Sequence, residues 1–137
     1  MNEPSYLLLT PDQVPPSLDA RHLPFKAVLV IEEAVSDEWQ WLVSKWLVRN
    51  GCRYMMAWGC NCGSWDDSVD YANISEAPDE LVMTTWHPDE PLAATFQFAI
   101  NFAIHPDVPL DRTLIVHVSH EARPAELLLT YSEARAN

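Results

Sequence analysis

KAVLVIEE, residues 26–33, decides the fold. Its apolar run is unbroken and closes on two acids, without the polar alternation of a strand that has one wet face. A strand reads this way when helices cover both sides of its sheet, as in parallel sheets.

The residues that follow supply the cover. Ser36 suits a helix N-cap, with Asp37 and Glu38 in the positive first turn. Trp39, Leu42, Val43, Trp46 and Leu47 follow at helical spacing, and Trp41 falls off that stripe. Arg49, Asn50 and Gly51 close the helix with a late cation and a residue that tolerates positive φ. RYMMAW, residues 53–58, predicts a second buried strand. Ser64 is read as the start of a second, shorter helix, with Asp67 at the capping-box position. LVMTTW, 81–86, predicts a third strand. Pro91 suits the first turn of a third helix, whose core stripe is Leu92, Phe96, Ala99, Ile100 and Ala103. TLIVHVS, 113–119, predicts a fourth strand. The alternation predicts an α/β three-layer sandwich, with a mostly parallel sheet of four or five strands and Rossmann-like or flavodoxin-like connectivity.

One domain spanning 1–137 is expected, with an irregular proline-rich lead-in (1–25), an α/β core (26–119) and a tail (120–137). YLLLT at 6–10 is the lead-in's one candidate strand. The tail reads either as a helix opened by Pro124 or as an edge strand, LLLTY, and helix is the better reading.

Charge sets the function classes. The chain carries 20 acidic and 8 basic residues, a net of −12. No Lys or Arg occurs between Arg53 and Arg112, an interval that holds Asp66, Asp67, Asp70, Glu76, Asp79, Glu80, Asp89, Glu90, Asp107 and Asp111. Such a field repels nucleic acid and anionic membrane and attracts a basic partner or a cation. No apolar run approaches a membrane span, and the N-terminus lacks a basic n-region, so the cytoplasm is the expected location. Three cysteines fit a reducing compartment better than a disulfide framework.

Ligands of parallel α/β sheets gather beyond the carboxyl ends of the strands. That rim would collect Glu32 and Glu33, then Trp58, Gly59, Cys60, Cys62, Ser64, Trp65, Asp66 and Asp67. It would also hold Trp86, His87, Asp89 and Glu90, then Ser119, His120 and Glu121. Cys60-x-Cys62 is too sparse for structural zinc, and the chain lacks the GxGxxG, GxxxxGK[ST] and GxSxG motifs. No cofactor is called for and no metal site is assigned. His117 reads as a satisfied strand histidine.

The binding candidates are Trp58, Trp65, Asp66, Asp67, Trp86, His87, Asp89 and Glu90. Tryptophans ringed by acids anchor Lys and Arg through cation–π contact and charge pairing. The first reading is therefore a protein-binding module of immunity or inhibitor type that covers a basic partner. The alternative is a Mg²⁺-dependent hydrolase or phosphoesterase in which Glu32/Glu33, Asp66/Asp67 and Asp89/Glu90 converge and His87 or His120 is the base. The missing lysine or arginine clamp counts against it. A third reading is a small cationic or polar ligand held at the same rim.

RYMMAWGCNCGSWDDSVDYANI, followed by LVMTTWH and EPL, resembles a family of small acidic bacterial proteins carried as a domain of unknown function. The resemblance covers about residues 24–118 and implies a bacterial or phage origin. It implies no activity, cofactor or catalytic residue, and it draws attention to the same tryptophans, aspartates and His87.

Overall fold

A computed structural model describes residues 3–19 and 23–137. Its strands are β1 (Ser5–Leu9), β2 (Phe25–Ile31), β3 (Cys52–Gly59), β4 (Met83–His87) and β5 (Thr113–Val118). Its helices are α1 (Asp37–Arg49), α2 (Cys62–Glu76), α3 (Leu92–Asn101) and α4 (Pro124–Ala136). The five strands form one parallel sheet in the order β1-β5-β2-β3-β4. From β4 to β5 this is the order that opens a doubly wound Rossmann sheet, with β1 added beyond β5.

Sheet burial follows from the apolar runs. Ala27, Leu29 and Ile31 of β2 face one core with Val43, Leu47, Trp65 and Val69, under α1 and α2. Val28 and Val30 face the other with Phe96, Ala99, Leu127 and Tyr131, under α3 and α4. A helix pair on each face completes the three layers. The proline-rich lead-in is not wholly irregular, because β1 pairs with β5 from Ser5–Leu114 to Leu9–Val118. The lead-in residues 1–2 and 20–22 lie outside the described residues. The tail is helical, with Pro124 in its first turn.

Local chemistry sets most helix ends. Ser36 Oγ accepts from Trp39 N–H at 3.2 Å, and Gly51 takes φ +98° at the far end of α1. Leu42, placed in the core stripe by its spacing, is exposed, and Trp46 is partly buried with its Nε1–H donated to Pro16 O. The start of α2 differs more. Asn61, at φ 55°, precedes the helix and makes no side-chain cap, so α2 begins ahead of Ser64 and runs longer than α1. Ser64 Oγ instead bonds the Gln40 side chain.

Gly59 makes this early start possible. Its φ is +103°, and a Cβ there would sit 2.2 Å from Ile31 O. The chain turns tightly against β2, where Cys60 N–H donates to Ile31 O at 2.9 Å. Alanine at this position would collide with backbone as well as strain φ.

Candidate functional site

The sheet divides the expected rim between its two faces. Side chains alternate along β4. Thr84 points to α2 and donates to Asp70 Oδ1 at 2.6 Å. Trp86 lies on the same face, near Gly63 in the first turn of α2. Thr85 and His87 face α3, where the His87 ring packs against Phe98 with centroids 4.9 Å apart. His87 is buried; its Nε2 is 2.8 Å from Thr85 Oγ1 and its Nδ1 is 3.5 Å from Glu90 Oε1. Trp58 also lies on the α3 face and donates Nε1–H to Glu90 O at 2.7 Å. Glu90 accepts further from Thr95 Oγ1. Asp89 is exposed, at φ 58°, in the turn before α3. Trp58, His87 and Glu90 thus form a packed corner that ties the end of β4 to α3.

Trp65 departs furthest from its expected place. It is 1% exposed and packs edge-on against Trp39, with centroids 6.3 Å apart and planes at 88°. Once α2 starts at Cys62, helical phase turns Cys62, Trp65, Asp66, Val69 and Ala72 inward. Trp65 is a core residue and not part of the exposed rim.

Asp66 is the anomaly in that stripe. It is a carboxylate at a core position, 5% exposed, and its Oδ2 has no hydrogen-bond partner. Burial, then the charge of Asp70, push its pKa from 3.8 up to about 6. Asp67 and Asp70 are exposed, and one carboxylate oxygen from each of the three lies within 4.8 Å of the others. Among the described residues this trio is the one group of three or more His, Cys, Asp or Glu that could share a metal ion. The expected convergence of Glu32/Glu33 and Asp89/Glu90 with Asp66/Asp67 is therefore not found, and His87 is on the other sheet face. No cysteine joins such a group. Cys52 is buried with its thiol pushed up to about 12 by burial, Cys62 is buried and Cys60 is exposed.

A second polar constellation lies where the strand order reverses, between β2 and β5. His117 is fully buried on β5. Its Nδ1 is 2.6 Å from Tyr6 Oη, and its Nε2 bonds Glu32 Oε1. Arg123 Nη2 donates to Glu32 Oε2 at 2.5 Å, and Arg123 N–H donates to Tyr6 Oη at 3.1 Å. With Glu32 ionised, Nε2 carries the proton, and in the neutral ring Nδ1 accepts from Tyr6. Tyr6 Oη, both ring nitrogens of His117 and both carboxylate oxygens of Glu32 then each have a partner. Burial raises the Glu32 pKa, but the Arg123 and His117 hydrogen bonds and charges outweigh it and hold the carboxyl below its usual value. The expectation of a satisfied strand histidine holds, although the face is fully covered. Tyr6 and Arg123 had no sequence signal, because their partners lie more than a hundred residues along the chain or in another loop.

A surface cleft at the opposite end of the sheet is lined by Lys26, His105, Asp107 and Asp111 among others. Lys26 is already committed there, donating Nζ–H to Ala99 O at 2.5 Å. Among the described residues no helix is long and apolar enough to cross a membrane.

No curated protein and no solved structure matches the chain. One family model, described as a domain of unknown function (DUF7684), matches residues 4–134. This span takes in all five strands, the polar chain around His117 and the acidic trio on α2, and the protein belongs to that family.

Proposed function

We propose that the chain is a protein-binding module of immunity or inhibitor type. It engages a basic partner with the face formed by β4 and the first half of α2. The observation that carries this reading is Trp86, 55% exposed on an edge strand whose other neighbour is β3 alone. A large aromatic left in water beside carboxylates is a suitable anchor for Arg or Lys. Asp67 and Asp70 lie on the adjacent helix and Asp89 in the turn just after β4, all exposed. The open strand edge adds unpaired backbone groups that a partner segment can pair with. Residues 54–111, which supply this face, contain no Lys or Arg, and the resulting negative field favours fast, salt-sensitive encounter. Trp58, Trp65 and His87 are structural in this reading.

Affinity capture with two baits tests it, wild type and Trp86→Ala, at low salt and at about 1 M salt, where the Debye length is about 3 Å. The expected outcome is a basic protein retained by wild type at low salt and lost in both other conditions. Identical captures by the two baits would refute it.

A further inference from the structure

We propose that Asp66, Asp67 and Asp70 form a binding site for a hard divalent cation, with the buried Asp66 carboxylate as its inner ligand. Two independent observations carry this. The first is the convergence of three carboxylate oxygens within 4.8 Å of one another. The second is the orphaned Oδ2 of Asp66, in a residue 95% buried (5% exposed). A buried carboxylate oxygen with no donor is disfavoured, and native structures rarely leave one without a water, a proton or an ion.

The surroundings offer no substitute cation. The side chains that act on the Asp66 carboxyl are Asp67, Asp70 and Thr84, none of them basic, and Lys45 of α1 lies over the Trp41 ring. Thr84 Oγ1 donates to Asp70 Oδ1 at 2.6 Å, which fixes that carboxylate beside Asp66. Asp67 and Asp70 are exposed, so water can reach the ion and complete its coordination. The donor set is entirely carboxylate oxygen. That chemistry suits Mg²⁺, Ca²⁺ or Mn²⁺ and disfavours metals that seek nitrogen or sulfur.

The site shares Asp67 and Asp70 with the proposed partner face, but its inner ligand, Asp66, is buried and its test needs only the purified chain, so either reading can fail without the other. Full-length protein, stripped with chelator, is titrated with Mg²⁺, Ca²⁺ and Mn²⁺ by calorimetry against NaCl of matched ionic strength. One or more of these ions should bind saturably where NaCl gives no such signal. Asp66→Asn and Asp70→Asn should each weaken binding at least about tenfold, while Glu133→Gln, at an exposed position of α4 on the other sheet face, leaves it unchanged. Bound Mn²⁺ should also broaden the backbone resonances of Thr84 and Asp67 in the folded wild type. This readout needs no variant. Absence of saturable binding by all three ions, binding retained in Asp66→Asn, or Mn²⁺ broadening centred elsewhere would each overturn the proposal.

Discussion

Glu32 and Asp66 both follow a strand of the same sheet, and the fold treats them in opposite ways. Glu32 accepts from His117 and Arg123, and its pKa is held down. Asp66 occupies a core position of α2, faces like charges, keeps one oxygen without a donor, and its pKa is driven up to about 6. The first carboxylate is used to bind β1, β2, β5 and the start of α4 together. The second weakens α2 packing unless something outside the chain neutralises it. A carboxylate that costs stability in a core stripe points to binding more strongly than a satisfied network does.

The largest effect should come from breaking the satisfied side of this pair. Glu32→Ala leaves the buried His117 Nε2–H without an acceptor and should destabilise the protein by about 2–3 kcal/mol in chemical denaturation. Tyr6→Phe removes one hydrogen bond of the same chain and should cost about 1 kcal/mol.

The pH dependence has opposite signs at the two sites. Glu32 has a folded pKa below 4.5, so its contribution is present above that value and is lost as pH falls through the lowered one. Asp66 has a folded value of about 6 against 3.8, so its contribution is fully present below 3.8 and is lost as pH rises through 6. Without divalent ions, Asp66→Asn should therefore gain on wild type between those values and level off above them. The plateau should be on the order of 1–2 kcal/mol after allowance for solvent screening. Denaturation midpoints of both proteins across that range check this, and parallel pH profiles would contradict it.

The smallest effect belongs to the open edge. Trp86→Ala should change stability by no more than about 0.5–1 kcal/mol, because most of its ring is already in water. If that variant unfolds, Trp86 is a packing residue and not an anchor.

Much of this architecture was legible in the chain. KAVLVIEE has no polar face, so it had to lie in a doubly covered sheet, and the alternation after it fixed the helix and strand order. The lateral order was not legible, because nothing in YLLL says that it pairs with residues 114–118 rather than with β2. The start of α2 was misplaced because Ser64 looks like a cap, whereas left-handed Asn61 and the glycine turn at Gly59 set it earlier. That shift in helical phase moved Trp65 from rim to core. The anomaly at Asp66 was readable once the phase was known, since a carboxylate sits between Cys62, Trp65, Val69 and Ala72 on one apolar stripe. The partition of Trp58, His87 and Glu90 from Trp86 and the aspartates depended on strand alternation in β4, one residue beyond its expected end.

Titrating the Asp66 and Glu32 side-chain carboxyls by carbon NMR in chelator tests the central claim most directly. The Asp66 midpoint should fall at about 6 and the Glu32 midpoint below 4.5, with Asp66 moving down when a divalent ion is added. An Asp66 midpoint at 3.8 that no divalent ion moves would contradict it.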